Sequence, residues 1–312
     1  MKVSVVVPVR DEEESLPALL ESLLDQSLSP DEILIVDGGS RDGTVACVRR
    51  YADRGVRIME IGPAYPGRGR NEGIKAARNP WLALIDAGCA PDKHWIEALV
   101  SALHNDREAR AVFGQVDPRL ESEWDVAQAL SLVSPVDRRN GCRAPFIASC
   151  LLHRSVWETV GGFPEHLRAA EDLVFLERIH EIGISTRRSS QAVVCWTLAK
   201  GPRAFFKRLR LYSTHHLSAG LSKTWHRRVF IMDIIALFLL ATAAFWPPAM
   251  ALFATGAIAR VFRTIARRTS NIVDGRAFRY DRVGRVAVLL FLADLAAWAG
   301  AADFIWRREM VR

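Results

Sequence analysis

Val3-Ser4-Val5-Val6-Val7-Pro8-Val9-Arg10-Asp11-Glu12 passes from a short, continuously apolar run into charged residues, and after a helical stretch at 12–25 the pattern recurs in Glu32-Ile33-Leu34-Ile35-Val36-Asp37. A strand without apolar–polar alternation is buried on both faces, which is the situation of a parallel strand covered by helices. Working outward, further runs of this kind predict strands at 56–61, 81–86, 111–116, 146–152 and 192–196. Helices are expected between them at 43–53, 69–77, 93–104, 124–133, 154–160 and 171–183, several opened by a capping residue or a proline. The reading is an α/β domain over 1–200 with a mostly parallel sheet flanked by helices.

After residue 200 the composition shifts. Residues 201–228 are rich in Lys, Arg and aromatics and hold the basic amphipathic stretch Arg203-Ala204-Phe205-Phe206-Lys207-Arg208-Leu209-Arg210-Leu211-Tyr212, which suits an interfacial helix. An uncharged run of 26 residues at 234–259 exceeds the roughly 20 needed to cross a bilayer. A second run at 286–306 contains Asp294 and Asp303. Between the two runs stand eight arginines (Arg260, Arg263, Arg267, Arg268, Arg276, Arg279, Arg282, Arg285) against two aspartates. The excess of positive charge places that loop, about 260–285, in the cytosol. Because Trp246-Pro247-Pro248 must kink or end a helix, the first run reads as a hairpin over about 229–265; one long kinked helix is the alternative. The expected location is the cytoplasmic membrane, multi-pass, with the N-terminal α/β domain cytosolic.

The chain has 312 residues, net charge +7 and five widely spaced cysteines with no CxxC pair, so neither a zinc site nor a disulfide framework is indicated. Met1-Lys2 leads directly into the first strand, with no signal-peptide pattern. The basic residues cluster beside the apolar spans, where anionic headgroups account for them, so no nucleic-acid partner is expected.

Ligands of open α/β sheets bind beyond the carboxyl ends of the strands. There lie Arg10-Asp11-Glu12-Glu13 and Asp37-Gly38-Gly39-Ser40-Arg41-Asp42-Gly43-Thr44. Glycine lets backbone approach a ligand, and a carboxylate accepts from a base N–H or a ribose hydroxyl. Asp37 taken alone could equally cap a helix starting near Gly43. Further segments are Gly67-Arg68-Gly69-Arg70-Asn71-Glu72-Gly73, Asp86-Ala87-Gly88, Gly161-Gly162-Phe163-Pro164-Glu165 and Ala170-Glu171-Asp172. Asp86 is the candidate metal ligand, since a carboxylate oxygen suits a hard cation such as Mg²⁺ or Mn²⁺.

In this order the motifs resemble glycosyltransferase family 2, over about residues 1–215. The resemblance implies a GT-A nucleotide-diphospho-sugar transferase fold and inverting transfer; an exit helix lying on the bilayer then places the domain to reach a membrane-associated acceptor, such as a lipid-linked glycan or glycolipid. It places Pro8, Arg10, Glu12, Asp37 and Gly39 around the nucleoside, Arg70 near the diphosphate and Asp86 at the donor. In the Glu171-Asp172 pair it makes Asp172 the catalytic base, since transfer with inversion needs a carboxylate opposite the leaving group to take the acceptor hydroxyl proton. The commonest donor of the family carries uridine diphosphate. The sequence departs from the family's DxD motif at Gly88, leaving one carboxylate for the metal; His215 or His216 is a candidate further ligand, as a later His is in some members. The Gln-x-x-Arg-Trp motif of processive members is missing from 206–212, which implies single addition. A dinucleotide-dependent oxidoreductase is excluded by the spacing and place of Gly67, Gly69 and Gly73. A nucleotidyltransferase would need a glycine-rich basic loop where Val9-Arg10-Asp11-Glu12 stands. The remaining alternative is a non-catalytic nucleotide-sugar-binding partner of another membrane enzyme.

Overall fold

Every residue of β1 (Val3–Val9) except Pro8 is buried. It runs parallel to β2 (Glu32–Asp37) on one side and to β4 (Trp81–Leu84) on the other, with β3 (Val56–Glu60) parallel outside β2. The computed structural model describes residues 1–104, 106, 108–223, 225–272 and 275–310. Beyond β4 the sheet continues through β7 (Cys150–His153), β6 (Ala111–Arg119), β8 (Thr186–Thr197) and β5 (Cys89–Pro91). The pairs β4–β7, β6–β7 and β5–β8 are antiparallel, so the sheet is mixed and its parallel part is β3-β2-β1-β4.

Apolar residues of β1 serve both faces, which is why the strand carries no alternation. Val3, Val5, Val7 and Val9 pack with Leu16, Leu19, Leu20 and Leu23 of α1 (Leu16–Leu24), while Val6 packs on the other side with Ile74 of α3 (Pro66–Ala76). Each fully buried leucine stabilises the fold by about 1.5–3 kcal/mol over an exposed one. The other helices of this unit are α2 (Thr44–Arg49), α4 (Trp95–His104), α6 (Arg154–Val160) and α7 (Glu171–Ile182).

Several boundaries differ from the sequence reading. Helix α3 begins at Pro66, because proline at the first turn loses no hydrogen bond. Its glycines lie inside the helix, where a Cβ on Gly73 would collide with Val6 Cγ1 and stand 2.8 Å from Val36 Cγ2. The apolar stretch before β7 turns as a short 3₁₀ segment, Ile147–Ser149, pinned where Trp95 Nε1 donates to Ser149 Oγ at 2.9 Å. Strand β8 starts six residues earlier than its apolar core, at Thr186.

The chain divides into two compact units, residues 1–117 with 137–197, and residues 118–136 with 198–312. The second holds α5 (Glu123–Ser131), α8 (Gly201–Ser218), α9 (His226–Thr242), α10 (Pro248–Ala266) and α11 (Tyr280–Met310). Ala127 and Leu130 of α5 share a core with Phe205, Leu209, Val286 and Leu289, which draws 118–136 into this unit. The apolar run at 234–259 is broken between Thr242 and Pro248, so it is two helices. Ion pairs join the helices: Arg210 to Asp303 at 2.7 and 2.6 Å, and Arg260 to Asp294 at 2.5 and 2.7 Å. Trp298 Nε1 donates to Asp233 at 2.8 Å. Pro248–Ala266 and Tyr280–Glu309 are long and apolar enough to cross a membrane.

Candidate active site

Strands β2 and β3 lie to one side of β1 and β4 to the other, so the sheet has its topological switch between β1 and β4. A crevice opens at the carboxyl ends of strands at such a point. The segments after β1 and β2 are stitched together there. Asp11 N donates to Ser40 Oγ at 2.9 Å, Arg41 N to Asp11 Oδ1 at 2.7 Å, and Glu12 N to Thr44 Oγ1 at 2.8 Å. Asp11 holds a left-handed φ of 56°, a conformation that aspartate tolerates better than most residues. Asp37 accepts from Gly39 N at 3.0 Å and from Ser40 N at 3.2 Å, and it takes the Ser40 hydroxyl as well. Gly39 has φ 82°, and a Cβ there would stand 2.9 Å from Pro63 N. Pro8 packs on Gly69, at 3.0 Å from where a Cβ would be, and Arg10 is exposed with Asp11 at 3.8 Å. Burial raises the pKa of Glu12, opposed by the Ser15 hydroxyl and reinforced by the charges of Asp86, Asp42 and Asp11.

Arg70 forks between two carboxylates from distant parts of the chain. One terminal nitrogen meets Asp86 Oδ1 at 2.6 Å, and the other meets Glu171 Oε1 at 2.6 Å. The side chains of Arg70 and Glu171 are 4% and 6% exposed, whereas Asp86 is 37% exposed. The guanidinium also lies over the Phe163 ring at 5.5 Å. Burial opposes the Arg70 charge, but Asp86, Glu171 and Asp172 together hold its pKa above the ordinary value. Asp172 follows on the first turn of α7, half-buried, with Leu173 N donating to it at 2.9 Å. Burial, then the neighbouring Glu171 charge, push its pKa up to about 7 against the opposing pull of Arg70. A carboxyl tuned to that range is suited to exchanging protons near neutrality.

Asn71, beside Arg70 on α3, ties that helix to residues 157–165. Its amide nitrogen donates to the Phe163 carbonyl at 2.9 Å and to Glu165 at 2.8 Å, while its oxygen accepts from Trp157 Nε1 and Phe163 N, both at 2.9 Å. A Cβ on Gly67 would run into the Pro164 carbonyl, so α3 and the 162–165 loop touch. Sequence reading gave Asn71 no part, because its partners lie 86 to 94 residues away and no local spacing announces them. Ala170, just before α7, adopts a left-handed φ of 69°.

Of the residues singled out in the sequence, Arg70, Asp86, Glu171 and Asp172 therefore stand together, with Glu12 within electrostatic reach of Asp86. Glu171 is the buried ion-pair partner of Arg70. Among the described residues no three His, Cys, Asp or Glu side chains gather to hold a metal ion. A Cβ at Gly88 would meet nothing within 4 Å, so the second acid is missing where space for it exists. His215 and His216 belong to α8 of the second unit, where His216 packs edge-on to Trp225 at 5.8 Å and near His226 at 6.3 Å. Burial, with His226 and His215 close by, pushes the pKa of His216 down to about 4.

Residues 4–144 match the model of the family described as Glycosyl transferase family 2. The chain is 25% identical to glycosyltransferase AglE of Haloferax volcanii over 98% of its own length and 97% of that protein's. It is 23% identical to the O-antigen chain rhamnosyltransferase RfbN of Salmonella typhimurium, over 80% of this chain and 84% of the other. Among solved structures it is similar to a mannosyltransferase from Pyrobaculum calidifontis in complex with GDP-Man and Mn²⁺. The TM-score is 0.67 at 19% identity, covering 98% of this chain and 87% of that one. The Staphylococcus aureus protein TarS in complex with UDP-GlcNAc gives a TM-score of 0.52 at 17% identity, over 87% and 89% of the two chains. The fold shared with these structures is GT-A-like, a mixed α/β sheet with helices on both faces.

Proposed function

We propose that this chain, which belongs to glycosyltransferase family 2, moves a single sugar with inversion from a nucleotide-diphosphate-sugar to an acceptor held at a membrane, with Asp172 as the base. The observation that carries the reading is the Arg70 fork, which draws Asp86 from the end of β4 and the start of α7 to one place. The Asp172 carboxylate takes the proton of the acceptor hydroxyl as that oxygen bonds to the anomeric carbon. The bond from that carbon to the phosphate oxygen breaks, and the nucleoside diphosphate leaves from the opposite side. Asp37, Glu12, Gly39, Pro8 and Arg10 supply the surroundings of the nucleoside, and Arg70 adds fixed positive charge on the diphosphate side.

Asp86, one oxygen on Arg70 and the side chain 37% exposed, fits a Mg²⁺ or Mn²⁺ ion that takes its remaining ligands from donor phosphate and water. When bound, that cation neutralises charge on the leaving diphosphate. The relatives named for GDP-Man and UDP-GlcNAc leave the base of the donor open between guanine and uracil. The membrane part of the proposal is supported by the exposed apolar surface of the C-terminal helices, since only 11% of the span within Pro248–Ala266 is buried, unlike a soluble core helix. A polyprenyl-phosphate-linked glycan or a glycolipid is the acceptor class that fits such an anchor.

The test is release of nucleoside diphosphate by the purified full chain across a panel of UDP- and GDP-sugars, with Mn²⁺ or with chelator. Turnover with one donor, lost in Asp172→Asn while donor binding persists, is the expected result. Equal loss of binding and turnover would remove Asp172 from the base role. Binding without turnover under any condition would favour a non-catalytic donor-binding partner, the reading that the missing acid at Gly88 suggests.

A further inference from the structure

We infer that the arginines at the open end of the α9–α10 pair form a site for the phosphate head of an anionic membrane lipid; the inference rests on the membrane reading above. Helices α9 and α10 pack together and are joined through residues 243–247. The start of one is thereby brought beside the end of the other, and Arg228 comes within electrostatic reach of Arg268, next to Arg267. Among the described residues none of these three has a carboxylate within 4.0 Å. Elsewhere in the same unit arginines are consumed by acids, Arg210 by Asp303, Arg260 by Asp294, Arg282 by Glu123 and Arg285 by Asp281.

Arg268 is the fixed member of the group. Its Nε donates to the Val133 carbonyl at 3.2 Å, beside Asn271, whose amide caps Ala129 and Val133 at 2.8 and 2.9 Å. Burial, followed by the charges of Arg267 and Arg228, holds its pKa below the ordinary arginine value. Like charges gathered without a counter-ion repel, and an anion seated among them reverses the sign of the interaction. The neighbouring surface identifies the anion. Ile231 and Ile235 are exposed one and two turns along α9, and Phe262 and Ile258 are exposed on α10. With a rise of 1.5 Å per residue, apolar surface begins about 4.5 Å from the Arg228 level. A phosphate with acyl chains running down the helices matches this sequence of charge and then hydrocarbon, whereas a soluble polyanion leaves the apolar part uncovered.

The test uses the full chain and vesicles of phosphatidylcholine alone or mixed with phosphatidylglycerol. Wild type is expected to float with both and to prefer the anionic vesicles. At about 1 kcal/mol per basic residue near the surface, Arg228→Gln with Arg267→Gln should lose about 30-fold of that preference, and adding Arg268→Gln about 150-fold in all. The double variant leaves the α5 cap intact, so a folding defect in the triple variant does not hide the result. Arg307→Gln with Arg308→Gln removes the same charge at the end of α11 and should keep most of the preference. An equal loss in that control would show diffuse attraction and overturn the site. Equal flotation of wild type with both vesicle types would also overturn it while sparing the membrane reading, whereas failure to float with either would overturn the membrane reading itself. Stabilisation of the detergent-solubilised chain by inorganic phosphate to the same extent as by phosphatidylglycerol would assign the site to free phosphate instead.

Discussion

Replacing Arg70 by methionine removes the guanidinium while roughly keeping its volume, and it strands two carboxylates. The Glu171 side chain is 6% exposed and Arg70 is its ion-pair partner at 2.6 Å, so its charge is left buried without compensation. Losing one member of such a pair costs about 3–5 kcal/mol. The Asp86 arm adds little, because Asp86 is 37% exposed and water screens it, about 0–1 kcal/mol. For a unit of this size the loss lowers Tm by about 6–20 °C, readable by scanning fluorimetry of the detergent-solubilised chain. Glu171→Gln and the double variant complete a cycle whose expected coupling is about 1–3 kcal/mol. Arg70 opposes the upward shift of Asp172, so its removal moves the Asp172 titration above about 7 and carries the rising limb of kcat/KM to higher pH. A wild-type Tm for Arg70→Met, or strictly additive effects in the cycle, would refute the clamp.

Asp172→Asn should lower kcat by about 10²–10⁴ with donor affinity nearly unchanged, measured by transfer kinetics beside equilibrium dialysis. Folded Asp172 keeps its proton to about pH 7, while an unfolded Asp releases it near about 3.9. The folded chain therefore binds more protons in that window, and this contribution to stability is full at the acid end and fades as pH rises through about 7; chemical denaturation across pH should show a flatter slope for Asp172→Asn. Gly73→Ala forces a methyl onto Val6 and Val36 and should cost about 1–3 kcal/mol, whereas Gly88→Ala enters open space and should unfold at the wild-type temperature. Arg260→Leu leaves Asp294 unpaired between helices and should lower thermal stability by about 3–5 kcal/mol, most of it recovered when Asp294→Leu is added.

The parallel half of the sheet was legible because strands covered on both faces must be apolar throughout, as Val3–Val9 and Glu32–Asp37 nearly are. The antiparallel half was less so. Strand β5 has only three residues, and the first part of β8 is polar and half-exposed, so neither carries a periodic signal. The break at Trp246-Pro247-Pro248 could be read directly, since proline cannot continue a helix from within. The attachment of 118–136 to the C-terminal helices rests on packing of Ala127 and Leu130, which no local pattern encodes. At the site, each carboxylate could be singled out by its place after a strand or at a helix start. That Arg70 joins Asp86 to Glu171, across 16 and 101 residues, is a property of the folded chain alone.

Ala170 has a further consequence. A left-handed alanine sits about 1–2 kcal/mol above its preferred backbone, and glycine would relieve that strain. Glycine would also widen the unfolded ensemble, by the smaller free energy of about 0.4–1 kcal/mol. The strain outweighs that term, so Ala170→Gly should stabilise the fold by up to about 1 kcal/mol. What alanine supplies is angular precision: with a Cβ at the pivot, the peptide ahead of Glu171 has few orientations to sample, and both acids of α7 inherit that narrow aim.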